Sequence, residues 1–263
     1  MQQKKIIKSI LIAVLPVLLL SSCVSRKEIV YFQGLEEAEQ QLATNQQGNL
    51  TLKPNDLLTI SVTAPEQEAA LPFNLPVVGA TNILDASSVS GQPKLQSYLV
   101  DGDGNIEFPV LGIVKVVGFT RQQLASSLKE KISKYVQDPI LNIRIINFQV
   151  SVLGEVARPG TFSINDEYLS LPKALGLAGD MTIYGLRNNV LVMREENGKK
   201  THAYLDLTNA NIINSPYYYL KQNDVVYIEP NGAQRQASSY NRNTSVYISI
   251  ASVLVSLIVL ISR

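Results

Sequence analysis

Cysteine and histidine occur once each in 263 residues, and tryptophan does not occur at all. A single cysteine excludes an intramolecular disulfide framework and any multi-thiolate metal site. A single histidine excludes a two-histidine metal centre and a proton relay between histidines. Charge is scarce and balanced: 23 Lys and Arg stand against 22 Asp and Glu, for a formal net charge of +1. No global basic field therefore exists to hold nucleic acid. No Gly-x-Ser-x-Gly stretch occurs and no Gly-x4-Gly-Lys-Ser/Thr stretch, so nothing supports a serine esterase or a nucleotide site. What is present is a hydrophobic class of 46%, ample for a packed core, in a length that fits one or two domains. No catalytic residue, metal ligand or cofactor is expected.

The two ends are unusual. Lys4, Lys5 and Lys8 precede an apolar run from Ile10 to Leu20, broken only by Pro16, and Leu20-Ser21-Ser22-Cys23 follows. A run this short with a positive flank reads as a signal peptide over 1–22 rather than a membrane span. Its end resembles the lipobox of bacterial lipoproteins. That resemblance implies cleavage before Cys23 and a diacylglycerol on the Cys23 thiol; the alternative is an ordinary secretory signal followed by a buried cysteine. Val24 follows rather than an aspartate, which under the same resemblance favours sorting to the outer membrane. Loss of 1–22 removes three lysines and no acid, leaving 20 basic and 22 acidic residues, net −2. Acyl chains at one end anchor a protein without making it span.

At the other end, Val246 to Ile261 are sixteen residues without charge, Gly or Pro. As a helix they would rise roughly 24 Å. That is short for a plasma-membrane span and nearer the thinner bacterial outer membrane. Ser245, Ser249, Ser252 and Ser256 step by four, three and four, which holds them on one stripe of a helix. Such a stripe permits close helix contact or lines water while the other faces meet lipid. Arg242 and Arg263 would mark the two interfaces. Three readings stay open for 245–262: a buried core helix, a single inner-membrane anchor, or one helix of an oligomeric bundle in the outer membrane. A striped helix needs a partner, which favours the bundle.

The body between the ends is β-rich. Residues 23–50 form a polar tether, with Gln40, Gln41, Gln46 and Gln47. Pro54-Asn55-Asp56 turns into a strand with Leu58, Ile60 and Val62 on one face. Residues 65–97 carry Pro65, Pro72, Pro76, Gly79, Gly91 and Pro93 and read as a long irregular insertion. Tyr98-Leu99-Val100 and Ile106 to Pro109 flank Asp101 to Asn105 and read as a hairpin. Thr120-Arg121-Gln122-Gln123 is a capping box. Leu124, Leu128, Ile132 and Val136 extend it into an amphipathic helix ending at Asp138-Pro139. Leu141, Ile143 and Ile145 then alternate with Asn142 and Arg144 as a half-buried strand.

A second unit starts near Phe148. Val150 to Val156 is a strand, turned back by Arg158-Pro159-Gly160 into Thr161 to Ile164. Ser170-Leu171-Pro172 opens a short helix that Gly179 closes. Val190 to Met193 and Thr201 to Leu207 are strands joined through Asn197-Gly198. Asp224 to Ile228 is the last strand, stopped by Glu229-Pro230, and 231–244 is a polar linker. Strand, strand, short helix, strands is a β-grasp-like order, and the fold class is α+β.

Several segments together resemble the outer-membrane polysaccharide biosynthesis and export lipoprotein family. Lys53 to Leu58, Val100 to Ile106 and Pro109 to Gly112 resemble its export domain, assigned to 51–148. Ser151 to Val156, Arg158-Pro159-Gly160, Ala174 to Asp180 and Ser215 to Leu220 resemble its soluble-ligand-binding β-grasp (SLBB) module, assigned to 149–230. The resemblance implies a ring homo-oligomer whose C-terminal amphipathic helices, here 245–262, cross the outer membrane. It implies most of the chain in the periplasm, a capsular or extracellular polysaccharide passing through passively, and an inner-membrane polysaccharide co-polymerase or tyrosine kinase as a further partner. Only one β-grasp module is evident where some relatives have two. The alternative function is a monomeric outer-membrane lipoprotein that binds a soluble ligand through its β-grasp domain.

Candidate site residues follow. Ser245, Ser249, Ser252 and Ser256 would line a pore or meet neighbouring helices. Tyr217, Tyr218 and Tyr219 could stack on sugar rings, or simply pack on a strand or subunit contact. Arg158 could meet an acidic polymer, or be a turn residue. Asp101-x-Asp103-x-Asn105 opens like a calcium loop, but Ile106 and Gly112 occupy the places of its glycine and final glutamate, which favours a tight turn. His202, on a strand, and the pairs Glu36-Glu37 and Glu195-Glu196 read as ordinary packed or solvated residues.

Overall fold

A computed structural model of the chain describes residues 26–36, 50–76, 96–196, 198–238 and 244–261. The expected signal peptide over 1–22, Cys23 and most of the expected tether lie outside the described residues, as does the larger part of the 65–97 insertion.

Alternation of apolar and hydroxyl-bearing residues builds the first strand, β1 (Leu57–Thr63), with Leu58, Ile60 and Val62 buried. Asn55, in a left-handed turn at φ 72°, starts it. A single turn of helix, α1 (Gln67–Ala70), follows, then β2 (Tyr98–Leu99), β3 (Asn105–Phe108) and β4 (Gly112–Lys115). Next come α2 (Arg121–Ile132) and β5 (Ile140–Ile145). The antiparallel sheet has the order β2-β1-β5, so β1 is central. Both arms of the capping box start α2. The Gln123 amide donates to Thr120 Oγ1 at 3.2 Å, and the Thr120 amide donates to Gln123 Oε1 at 2.9 Å. Leu124, Leu128 and Ile132 are fully buried along its inner face, each worth roughly 1.5–3 kcal/mol relative to exposure.

Two expectations here need correction. The hairpin does not join 98–100 to 106–109. β2 pairs with β1, whereas β3 pairs with β4 across Pro109 to Leu111. Asp101 still closes a tight turn, its Oδ1 accepting the Asp103 and Asn105 amides at 3.0 and 2.8 Å. That turn changes the chain's direction between two sheets, and burial of Tyr98 and Phe108 against each other fixes the angle. Helix α2 also ends at Ile132, short of Asp138-Pro139. Val136 remains buried, but it sits in the turns that follow.

The second unit comprises β6 (Gln149–Gly154), β7 (Gly160–Ser163), β8 (Leu169–Ser170), α3 (Leu171–Leu177), β9 (Gly185–Glu196), β10 (Lys199–Leu205), β11 (Tyr219–Leu220) and β12 (Val225–Pro230). Its five-stranded sheet runs β10-β9-β12-β6-β7, with the first and last strands of the unit, β6 and β12, as parallel neighbours. Gly154 makes that approach possible. It sits at φ +89°, and a Cβ there would fall on the Ile228 carbonyl. Two hydrophobic cores result, one drawn from Leu52 to Ile143 and one from Phe148 to Ile228, with Ile145 packing against both. Asn147 joins the units: its side chain accepts the Leu57 amide at 2.9 Å and donates to the Asn55 carbonyl at 2.8 Å, while its carbonyl accepts Gln222 Nε2 at 2.6 Å.

The tether is not free of the body. The Phe32 and Gln33 amides donate to the Leu207 and Thr208 carbonyls at 3.0 and 2.7 Å, and the Ala210 amide donates back to Gln33. Tyr31 lies against the Arg187 guanidinium, 5.4 Å from ring centre to the carbon. The expected linker 231–244 likewise contains a helix, α4 (Gly232–Ser238), and Thr244 already belongs to the terminal helix α5 (Thr244–Ile261).

Candidate functional site

The terminal helix places its serines on one face, as 3.6-residue periodicity requires. Three hydroxyls donate within the helix: Ser249 Oγ to the Ser245 carbonyl, Ser252 Oγ to Ser249 and Ser256 Oγ to Ser252, all at 2.8 Å. Back-bonding satisfies these donors and leaves the oxygens to act only as acceptors. Val246, Ile250, Val253 and Leu257 are exposed on the rest of the helix. Eighteen residues rise about 27 Å, against a hydrocarbon layer of about 30 Å. Among the described residues no helix is long and apolar enough to cross a membrane. The expected span at 245–262 therefore does not follow from the helix alone.

Tyr217, Tyr218 and Tyr219 lie on the segment that leads into β11, and a buried ion pair holds this segment. Arg194 of β9 reaches Asp224 through Nε at 3.0 Å and Nη2 at 2.7 Å, and both residues are buried. The remaining guanidinium donors go to the Pro216 and Tyr219 carbonyls at 3.2 and 2.9 Å, and the carboxylate also accepts the Lys221 amide at 2.7 Å. Tyr217 packs one face under that guanidinium at 4.7 Å. Tyr218 stands edge-on to Tyr219 at 5.1 Å, and burial raises its phenol above the ordinary value. Tyr219 meets Tyr168 edge-on at 6.0 Å. Tyr217 and Tyr218 pack against the second core. Arg158 is elsewhere: its Nη2 donates to the Leu177 carbonyl at 3.1 Å and so closes the end of α3. It shares no hydrogen bond or ring contact with the three tyrosines.

One cleft, of about 730 Å³, opens between the two units. Its size falls in the range usual for small-ligand sites, roughly 300–1,000 Å³. The start of α2 supplies Gln122, β5 supplies Asn142 and Arg144, and the loop before β8 supplies Asn165 and Tyr168. The side chains of Gln122, Asn142, Arg144 and Asn165 make no hydrogen bond or ion pair among the described residues. Arg121 and Glu167 pair at its edge, linking the two units. Beside them Lys173 pairs with Asp166 at 2.5 Å. The sequence gives no local sign of this cleft, because its residues come from widely separated segments.

A family described as polysaccharide biosynthesis/export protein matches residues 44–146. The matched stretch, 103 of the chain's 263 residues, belongs to that family. The matched stretch contains every residue of the first core, so the polysaccharide-export domain is the unit built on β1, α2 and β5. The chain is 30% identical over 178 residues to the EPS I polysaccharide export outer membrane protein EpsA of Ralstonia nicotianae, covering 66% of this chain and 45% of that protein. It is 28% identical over 179 residues to the protein of the same name from Ralstonia solanacearum, covering 66% and 46%. The chain thus spans about half the length of the curated relatives it matches. The cleft lies where the matched unit meets the second unit, and the tyrosine segment belongs wholly to the second unit.

Proposed function

We propose that this chain is the outer-membrane subunit of a polysaccharide exporter. Cys23 carries the acyl anchor, the export and β-grasp units stack as a periplasmic ring of identical subunits, and α5 of each subunit joins a bundle that opens the outer membrane. Capsular or extracellular polysaccharide passes through a water-filled lumen without chemistry, driven from an inner-membrane polysaccharide co-polymerase or tyrosine kinase. The family match over the export domain carries this reading, and the relatives' names supply the outer membrane and the polysaccharide. Heterologous contacts close into rings when the rotation closes, which fits a subunit with two different ends. Serine hydroxyls already donating to their own backbone present only acceptors to a lumen, one kind of hydrogen bond where a sugar chain offers and seeks both, so the chain slides past rather than stopping.

Native mass measurement of the detergent-extracted full chain is the first test: a discrete ring is expected, and a monomer rejects the conduit. Replacing Ser249, Ser252 and Ser256 together with leucine is the second. Surface polysaccharide should fall severalfold while the protein stays in the membrane fraction; unchanged export removes the stripe from the mechanism.

A second reading has one observation in its favour. The unpaired amides and Arg144 of the interdomain cleft suit a soluble ligand, in which case a monomeric lipoprotein would bind it and α5 would be a second anchor. Saturable binding of a saccharide by a monomer would support it.

A further inference from the structure

Two tethers meet at one short loop. Tyr31, on the segment that leads back to Cys23, donates its hydroxyl to Asp180 Oδ1 at 2.7 Å. Asn231, the residue before α4 and the route to α5, donates its amide to the Tyr184 carbonyl at 2.7 Å. The loop from Asp180 to Tyr184 is therefore bracketed by the chain coming from the acyl site and the chain going to the apolar helix. Covalent reach keeps Cys23 within about 29 Å of Tyr31 and Thr244 within about 22 Å of Ser238.

The loop is built to hold its apex outward. Thr182 anchors it, with its amide on the Glu155 carbonyl at 3.0 Å and its Oγ1 on the Glu155 carboxylate at 2.8 Å. The Gly185 amide donates to the Thr182 carbonyl at 3.1 Å and the Tyr184 amide to Thr182 Oγ1 at 3.1 Å, closing a tight turn. Met181 points inward and is buried. Ile183 and Tyr184 form the apex, 78% and 41% exposed, with no charged residue between Met181 and Leu186. An aliphatic and a tyrosine side by side on a turn without charge match the chemistry of the headgroup–acyl boundary, where tyrosine is enriched.

We propose that the Ile183-Tyr184 turn is a membrane-contact site that dips into the lipid boundary of the leaflet holding the acyl anchor, and so sets the height of the second unit against the bilayer. This rests on the membrane reading above. It also gives the docked tether a purpose: the Tyr31–Asp180 bond ties the acylated end to the very loop that meets the lipid.

The absence of native tryptophan makes a direct test possible. Ile183→Trp, made in the full acylated chain, is reconstituted into phosphatidylethanolamine–phosphatidylglycerol vesicles whose lipids are brominated near the ester end. Emission should shift to the blue and lose more than half its intensity relative to unbrominated vesicles. Tyr184→Trp reports the same apex if the first variant is poorly made. Ile113→Trp, on the exposed export-domain hairpin, should stay unquenched. A blue shift without quenching at 183 means that a neighbouring subunit covers the turn, and overturns the proposal; so does equal quenching at 113. Val253→Trp with bromines near the chain ends tests α5 separately. Quenching at 253 alone sinks the loop and spares the helix, quenching at 183 alone does the reverse, and quenching at neither overturns both.

Discussion

Asp224→Asn is the sharpest perturbation of the body, because it removes one charge and almost no volume. The carboxylate is wholly buried, and it neutralises a guanidinium that is 6% exposed. Without it, Arg194 keeps the Pro216 and Tyr219 carbonyls and the face of Tyr217, none of which carries a full negative charge. At an effective dielectric near 20, unit charges about 4 Å apart attract by about 4 kcal/mol. Removing one partner of a buried pair costs about 3–5 kcal/mol, since the other charge is left without compensation. Arg194→Met should cost about as much. It strands Asp224 with the Lys221 amide and also orphans two carbonyls. The double variant has no stranded charge, so its cost should fall below the sum of the singles by about 2 kcal/mol or more. Denaturant unfolding of the detergent-solubilised chain, followed by circular dichroism, measures all three. Single costs under about 1 kcal/mol, or a double that is simply additive, would refute the idea that this pair pins the tyrosine segment to the sheet.

Three further outcomes are expected. Tyr98→Phe should be neutral or stabilising by up to about 1 kcal/mol at pH 7, since the buried hydroxyl has no hydrogen-bond partner among the described residues. Burial pushes that phenol up from 10.0 to about 12. The wild type should therefore lose stability as pH rises from 10 towards 12, where the unfolded chain ionises first, and the variant should lose less. Gly154→Ala should abolish the second unit's fold, because the Cβ lands on the Ile228 backbone at a positive φ; a soluble variant with native near-ultraviolet dichroism would contradict this. Lys221, 2.5 Å away, holds the Glu196 carboxyl below its ordinary value of 4.5. That contribution is present above the ordinary value and lost as pH falls through the lowered one, so Glu196→Gln should flatten the acid limb of a midpoint-against-pH curve.

Where spacing alone carries the signal, sequence and structure agree closely. Thr120 and Gln123 form both arms of their cap. Ser170 caps α3, with its Oγ accepting the Lys173 amide, and Gly179 adopts the left-handed conformation after the helix. Leu58, Ile60 and Val62 share the buried face of β1. Each of these depends on neighbours within about four residues, for which backbone geometry leaves few alternatives. The errors are of another kind. Val136 keeps the four-residue apolar rhythm and is buried, yet it lies beyond the helix, because burial can be met by a turn as well as by a helical face. Tyr98 to Val100 and Ile106 to Pro109 look like two arms of one hairpin, but each finds its partner elsewhere. The cleft residues and the anchoring of Tyr31 left no local mark.

The amino-acid order by itself determined the apolar ends, the serine stripe, the caps and turns, and the alternation that gives each strand a buried face. These are consequences of helix and strand period and of which residues tolerate a bend. Only the tertiary structure decided that β6 and β12 lie side by side, that Arg194 meets Asp224 thirty residues away, and that the chain entering from Cys23 and the chain leaving for α5 grip the same loop. Such pairings are chosen by competition among all buried surfaces at once, and no short window of residues contains that competition.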